Sequence, residues 1–136
     1  GINMPLKLKV ITPEKILIDT EVDEFYSTAT DGDFGIMPGH IPYMTPLAIG
    51  VSKYVQGDKD TYISTIGGLF QIQNDEIIVL TDSAEFGNKI DEQRAKEAKE
   101  RAEARLGSLK TETDIRRAEL ALARAMARLK AARKSK

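Results

Sequence analysis

The chain has 136 residues, 41% of them hydrophobic and 30% charged, with a formal net charge of −1; this is the balance of a folded protein with one ordinary core, or a small core plus an appendage, and not of a disordered chain. It contains no cysteine, which excludes a disulfide framework and a thiolate metal site, and no apolar run approaches the ~20 residues that span a bilayer. The near-zero charge hides two opposite parts: residues 1–86 carry 5 Lys and no Arg against 13 Asp and Glu, a net of −8, whereas residues 87–136 carry 7 Lys and all 8 Arg against 8 Asp and Glu, a net of +7. Such a split points to two units with different partners, 4–86 and 87–136. Gly1-Ile2-Asn3 before Met4 reads as a cloning remnant with no signal peptide, so a cytosolic-side protein is the expectation.

The first unit reads as β. Leu6, Leu8 and Val10 alternate with Lys7 and Lys9, the period of a half-buried strand. Ile16–Ile18, Glu21–Tyr26, Ile49–Val55, Thr61–Ile66, Leu69–Ile72 and Ile77–Leu80 follow as further strands. Asp31-Gly32, Pro38-Gly39, Gly57-Asp58, Gly67-Gly68 and Asn74-Asp75 separate them as turns. Short, closely spaced strands with no intervening helix period imply an antiparallel sandwich or barrel.

Gly87-Asn88 breaks this pattern. Asp91 is placed to cap a helix over 91–106, rich in Ala, Glu, Lys and Arg. Gly107-Ser108 ends it, and Asp114 is placed to cap a second helix reaching about Ala132. Ile115, Ala118, Leu122, Ala125, Leu129 and Ala132 recur at steps of three and four, a narrow coiled-coil stripe. Ala95, Ala98, Ala102, Leu106 and Leu109 form the matching seam. The fold class is therefore α+β: an antiparallel β-sandwich followed by an antiparallel helical hairpin. Alanine seams bury little area at roughly 25 cal/mol per Å², so the hairpin is expected to dock on something else.

No catalytic constellation stands out. His40, the only histidine, lies in Pro38-Gly39-His40-Ile41-Pro42 without a recognisable nucleophile or orienting carboxylate; a structural or interface role is the better reading, and the chain is not read as an enzyme. Arg94, Arg101 and Arg105 share one side of the first helix, and Arg117, Arg124 and Arg128 one side of the second. These rows fit a solvated face with pairs such as Glu97–Arg101, a clasp for a nucleotide triphosphate, an acidic protein surface, or nucleic-acid phosphates. A β-sandwich adaptor whose basic hairpin binds nucleic acid is the alternative, weakened because every aromatic lies outside the hairpin.

Asp33-Phe34-Gly35-Ile36-Met37-Pro38-Gly39-His40-Ile41-Pro42, then Gly67-Gly68, then Ile90-Asp91-Glu92-Gln93-Arg94-Ala95, and finally Arg117–Leu129 together resemble the epsilon subunit of bacterial and chloroplast F-type ATP synthases, over nearly all of Met4 to Leu129. The resemblance implies a non-catalytic subunit of the rotating central stalk. Its sandwich would bind the gamma subunit and the c-ring, with Asp33, in the loop before His40, near the c-ring and His40 near gamma. Its hairpin would inhibit ATP hydrolysis when extended toward the alpha/beta hexamer, and would bind ATP as a regulatory ligand when folded. The motif Ile90-Asp91-x-x-Arg94-Ala95, with Glu85, Arg101, Arg124 and Arg128, matches the implied nucleotide site. Asp91 would cap the helix and pair with Arg94, and Ala95 would leave room for a base or ribose. No cofactor is required, no nucleic acid is a partner, and the location implied is peripheral, on the cytoplasmic face of a bacterial plasma membrane or the stromal face of a thylakoid. From the charge split, the acidic sandwich is expected to attract the basic hairpin in a salt-screened manner.

Overall fold

The computed structural model describes residues 4–108 and 110–136. Eight strands come first: β1 Leu6–Ile11, β2 Ile16–Val22, β3 Glu24–Ala29, β4 Gly32–Ile36, β5 Tyr43–Gln56, β6 Lys59–Gln73, β7 Glu76–Leu80 and β8 Ala84–Phe86. A 3-10 turn over Gly87–Lys89 leads to α1 Glu92–Leu106 and α2 Glu112–Lys134. The main path of strands runs β2-β1-β7-β6-β5-β3-β4, with β8 also on β6.

Two strands are much longer than their sequence signals. β5 has 14 residues and β6 has 15, because Gly67-Gly68 does not end a strand. It marks the place where β6 changes partner: Leu69–Gln73 pair with β7, and Ile63–Thr65 pair with β8. Gly68 has φ +117, and a Cβ on it would lie 1.9 Å from the Leu80 carbonyl oxygen, so only glycine can cross the β7 backbone there. The strands β4 and β8 carry too few alternating apolar residues to be seen as periodic; pairing to β3 and β6 makes them.

The expectation of a purely antiparallel sheet needs one correction. β1 pairs with β7 in parallel, Leu8 opposite Ile77 and Val10 opposite Val79, while every other recorded ladder is antiparallel. The two strands are far apart in sequence and joined by no hairpin, so no tight turn dictates their direction; what fixes the pairing is burial of Leu6, Leu8 and Val10 at 0–1% exposure.

The core lies between the two halves of this folded sheet. Phe25 stacks on Phe70 with centroids 5.7 Å apart, and Leu6, Leu8, Val22, Ile36, Ile63, Ile72, Ile77 and Val79 close around them. The two outer faces differ. One is covered: Val51 of β5 packs against Ile90, Ala95, Leu129, Ala131 and Ala132. The other is bare and apolar. Pro46, Leu69, Leu80, Ile11 and Ile16 stand in one cross-strand row over five strands, and Met44 and Ile78 lie in the next. Ile16, Met44 and Leu80 are exposed, as are Met37 and Ile41 in the adjoining loop.

The helices pack as an antiparallel hairpin through the alanine seam. Ala95, Ala102, Ala118, Ala125, Leu129 and Ala132 are buried; Ala98, Leu106, Ile115 and Leu122 are half-buried. Leu109, placed in the seam from sequence, lies outside the described residues. α2 buries a second row as well, Ala127 and Ala131, and this row brings it onto the sandwich. Two helix starts can be compared with expectation. Asp91 caps α1, its Oδ1 accepting from the Arg94 N–H at 3.1 Å. Thr111, not Asp114, caps α2: Thr111 Oγ1 accepts from the Asp114 N–H at 3.2 Å, which leaves the Asp114 carboxylate in the first turn, where the helix dipole favours it.

Candidate nucleotide and docking sites

The residues expected to form a nucleotide site fall into three places. Glu85, at the end of β8, meets Arg128 of α2: Nη2 donates to Oε2 at 3.2 Å, and Nε stands 2.7 Å from Oε1 without a straight N–H path. Both side chains keep more than a third of their surface in solvent, so this contact positions the helix more than it stabilises it. Ile90, Asp91, Arg94 and Ala95 follow the 3-10 turn at the start of α1. Ile90 is buried, while Asp91 and Arg94 are exposed. Arg101 lies further along the hairpin, where it shares a groove of about 340 Å³ with Arg105, Arg117 and the alanines 98, 102, 118 and 121. Arg94 and Arg101 are seven residues apart, hence roughly 10 Å along the helix axis.

Three local expectations change. Asp91 bonds the Arg94 backbone, and no ion pair to the Arg94 guanidinium is found among the described residues. Glu97 takes a hydrogen bond from Gln93 Nε2 at 3.2 Å, and no Glu97–Arg101 ion pair is found among the described residues. Ala95 has no exposed surface and packs with Leu129, Ala131 and Ala132, so its methyl group gives α2 room to approach and is not open to a base. Arg124 is exposed, and among the described residues it has no ion pair. The site as a whole is therefore open: an anchored end at Glu85–Arg128, and Arg94, Arg101 and Arg124 free to turn toward an anion.

The C-terminal turn of α2 closes the same end of the hairpin. Glu92 receives Arg133 Nε at 3.0 Å and also pairs with Lys136. Hydrogen bonds from Lys136 and Arg133 hold the Glu92 carboxyl below its usual range. Ser135 Oγ donates to the Ala131 carbonyl at 2.8 Å. Beneath it Gly87 is so close to α2 that a Cβ would stand 2.1 Å from Ser135 Oγ and 2.3 Å from the Ala131 oxygen. Sequence reasoning missed Glu92, Arg133, Ser135 and Lys136; Glu92 lies inside the Ile90–Ala95 motif, but nothing in the spacing names a partner forty residues away.

Asp33 and His40 are separated by the structure. Asp33 is not in the loop before His40 but inside β4, where its Oδ1 accepts from Thr28 Oγ1 at 2.7 Å. His40 is in the loop, half-buried, with Nδ1 2.7 Å from the Ile41 carbonyl oxygen, an arrangement in which Nδ1 carries the proton and donates. Its ring lies 6.1 Å from Tyr43, and the loop is tied down by the Gly39 N–H donating to Asp75 Oδ1 at 2.8 Å. His40 thus orders the loop that presents Met37 and Ile41 beside the bare apolar face.

A β-sandwich with one face bare and the other carrying a docked alanine-seamed hairpin defines a class of two-part docking proteins. Residues 5–87 match the family described as ATP synthase, Delta/Epsilon chain, beta-sandwich domain, and residues 88–133 match ATP synthase, Delta/Epsilon chain, long alpha-helix domain. The chain belongs to the delta/epsilon-chain family of ATP synthases. It is 43% identical over 126 residues to the ATP synthase epsilon chain of Desulforamulus reducens, covering 93% of this chain and 96% of that one. The epsilon chain of Bacillus velezensis is 40% identical over 124 residues, covering 91% and 94%. Among solved structures, the fold is that of a chain in the Euglena gracilis mitochondrial ATP synthase, OSCP/F1/c-ring assembly, with a TM-score of 0.84, 22% identity, and coverage of 97% of this chain and 83% of that one.

Proposed function

We propose that this chain is a non-catalytic central-stalk subunit of an F1Fo ATP synthase, coupling ion flow to ATP synthesis and restraining ATP hydrolysis through its hairpin. The sandwich docks on the gamma subunit and the c-ring, and the hairpin reaches the alpha/beta hexamer when extended. A bare apolar row over five strands, with Met44 and Ile78 beside it, supports the docking part: Ile16, Met44 and Leu80 are exposed at 54%, 59% and 47%, and a surface of this kind calls for a partner. The subunit is peripheral, on the cytoplasmic face of the membrane. No helix among the described residues is long and apolar enough to cross one.

The observation that carries the regulatory reading is the thin attachment of α2. It is held to the sandwich by Leu129, Ala131 and Ala132 against Val51, by the close approach of Ala131 to Gly87, and, among the described residues, by the single ion pair Glu85–Arg128. A ligand at 100 times its dissociation constant stabilises the state it binds by only ~2.7 kcal/mol, and a full reversal of populations needs roughly 5.5 kcal/mol. A weakly held hairpin is what such a ligand can govern. ATP is the proposed ligand, its phosphates taken by Arg94, Arg101, Arg124 and Arg128 from both helices, with Glu85 released from or retained on Arg128 and Ile90, Asp91 and Ala95 framing the start of α1.

Titration of the isolated chain with ATP, followed by calorimetry and amide NMR, tests this. Saturable binding that weakens at least tenfold in Arg94→Ala is expected; no saturable binding up to several millimolar would remove the nucleotide role. The inhibitory role is tested separately, by adding the full chain or residues 1–86 to an epsilon-depleted F1 complex. The full chain is expected to lower hydrolysis, and equal rates would exclude inhibition.

A further inference from the structure

A cleft of about 830 Å³ runs between α2 and the outer face of β5. It shares no residue with Glu85, the Ile90–Ala95 motif or the arginines assigned to ATP. Ile49 and Val51 of β5 face Ala123 and Met126 of α2 across it; Met126 is half in solvent although it sits beside apolar neighbours. At one end stand Lys130 and Lys134, which also line an adjoining cavity of about 450 Å³ with Tyr26, Tyr62 and Lys53. These two lysines are one helical turn apart, a spacing at which like charges repel. Among the described residues neither has a carboxylate within ion-pair distance. Asp33 is the one carboxylate among the residues that line the cleft, and its Oδ1 is engaged by Thr28.

We propose that this cleft binds a single-chain amphipathic anion, a fatty-acid carboxylate. The head group lies between Lys130 and Lys134, where it offsets their mutual repulsion through charge-assisted hydrogen bonds. The acyl chain lies along Ile49, Val51, Ala123 and Met126, where a flexible thioether adapts to an irregular apolar guest. The volume falls in the ordinary range of small-molecule sites, roughly 300–1,000 Å³. A small inorganic anion would leave the apolar floor unused, and a neutral lipid would leave the lysines unpaired. Because one wall belongs to the sandwich and the other to α2, the ligand binds only while the hairpin is docked, and it favours that state by mass action.

The test titrates the full chain with laurate below its micellar concentration, in parallel with monolaurin and with acetate, read by calorimetry and by the Met126 methyl signal. Expected are saturable one-to-one binding of laurate with a shift at Met126, at least tenfold weaker binding of monolaurin, and none of acetate. The charge-reversed pair K130E/K134E weakens laurate at least tenfold, and the neutral pair K130Q/K134Q does the same if the reversed pair is unfolded by circular dichroism. Both variants keep the proposed ATP ligands, so ATP titration of the same samples separates this proposal from the nucleotide reading. Absence of saturable laurate binding, equal affinity for monolaurin, or indifference to both lysine pairs overturns it.

Discussion

Gly68 and Glu92 carry opposite lessons about single residues. A methyl group on Gly68 meets the β7 backbone at Leu80 and Thr81, and backbone cannot move aside as a side-chain tip can. Gly68→Ala is expected to destabilise the sandwich by about 3 kcal/mol or more, measured as a lower denaturant midpoint. Glu92 acts at the surface and through charge. Its carboxyl is held below the usual range by Lys136 and Arg133, so its folded value lies below its unfolded one. The contact therefore contributes in full above the ordinary carboxylate range and is lost as pH falls through the lowered value. Glu92→Gln is expected to remove that acid-side loss from the pH profile of α1–α2 closure, followed by NMR shifts at the C-terminal end of α2, and to leave the neutral-pH fold intact. Of these two residues the sequence announced only the first, as a glycine pair, and even there a turn was the natural reading; that β6 runs on through Gly68 depends on the backbone of Leu80 and Thr81 at the end of β7, which no local signal names.

At the scale of elements, α2 is a helix with two buried faces. Its seam toward α1 was legible because Ile115, Ala118, Leu122, Ala125, Leu129 and Ala132 keep a regular step. Its second face, Ala127 and Ala131, was not, because alanine is equally at home in a solvated helix; only contact with Gly87 and β5 gives those two positions a meaning. The edge strands β4 and β8 were missed for a related reason: they are short and their residues acquire order from pairing, not from propensity. The candidate site was legible as a set of arginines and a capped motif, and Asp91 caps as expected, but the covering of Ala95 by α2 could not be read from spacing. Gly87→Ala is expected to force α2 off the turn while leaving the sandwich core untouched. Thermal unfolding should then show loss of hairpin protection in hydrogen exchange at unchanged sandwich stability; a uniform loss of protection would mean that the two parts unfold as one.

For the whole molecule, the contrast between −8 and +7 suggested that charge holds the parts together. Direct contacts give charge a small part: among the described residues Glu85–Arg128 is the one ion pair between sandwich and hairpin, and both its side chains keep more than a third of their surface in solvent. Packing of Leu129, Ala131 and Ala132 against Val51, and of Ala131 against Gly87, does the rest. Raising ionic strength from 0.05 to 0.5 M is thus expected to weaken docking by less than about 1 kcal/mol, measured as the docked fraction by NMR; a larger loss would restore the electrostatic account. The parallel ladder between β1 and β7 has a consequence in time. It ties Leu8 to Ile77 and Val10 to Val79, so the first strand made must wait for one of the last before it joins the rest of the sheet. During synthesis the chain can form the β1–β2 and β5–β6 hairpins early, yet the β1–β2 pair cannot join the sheet until residue 80 has left the ribosome. By then the arginine-rich helices are next in line, and the closed sandwich is ready to receive them.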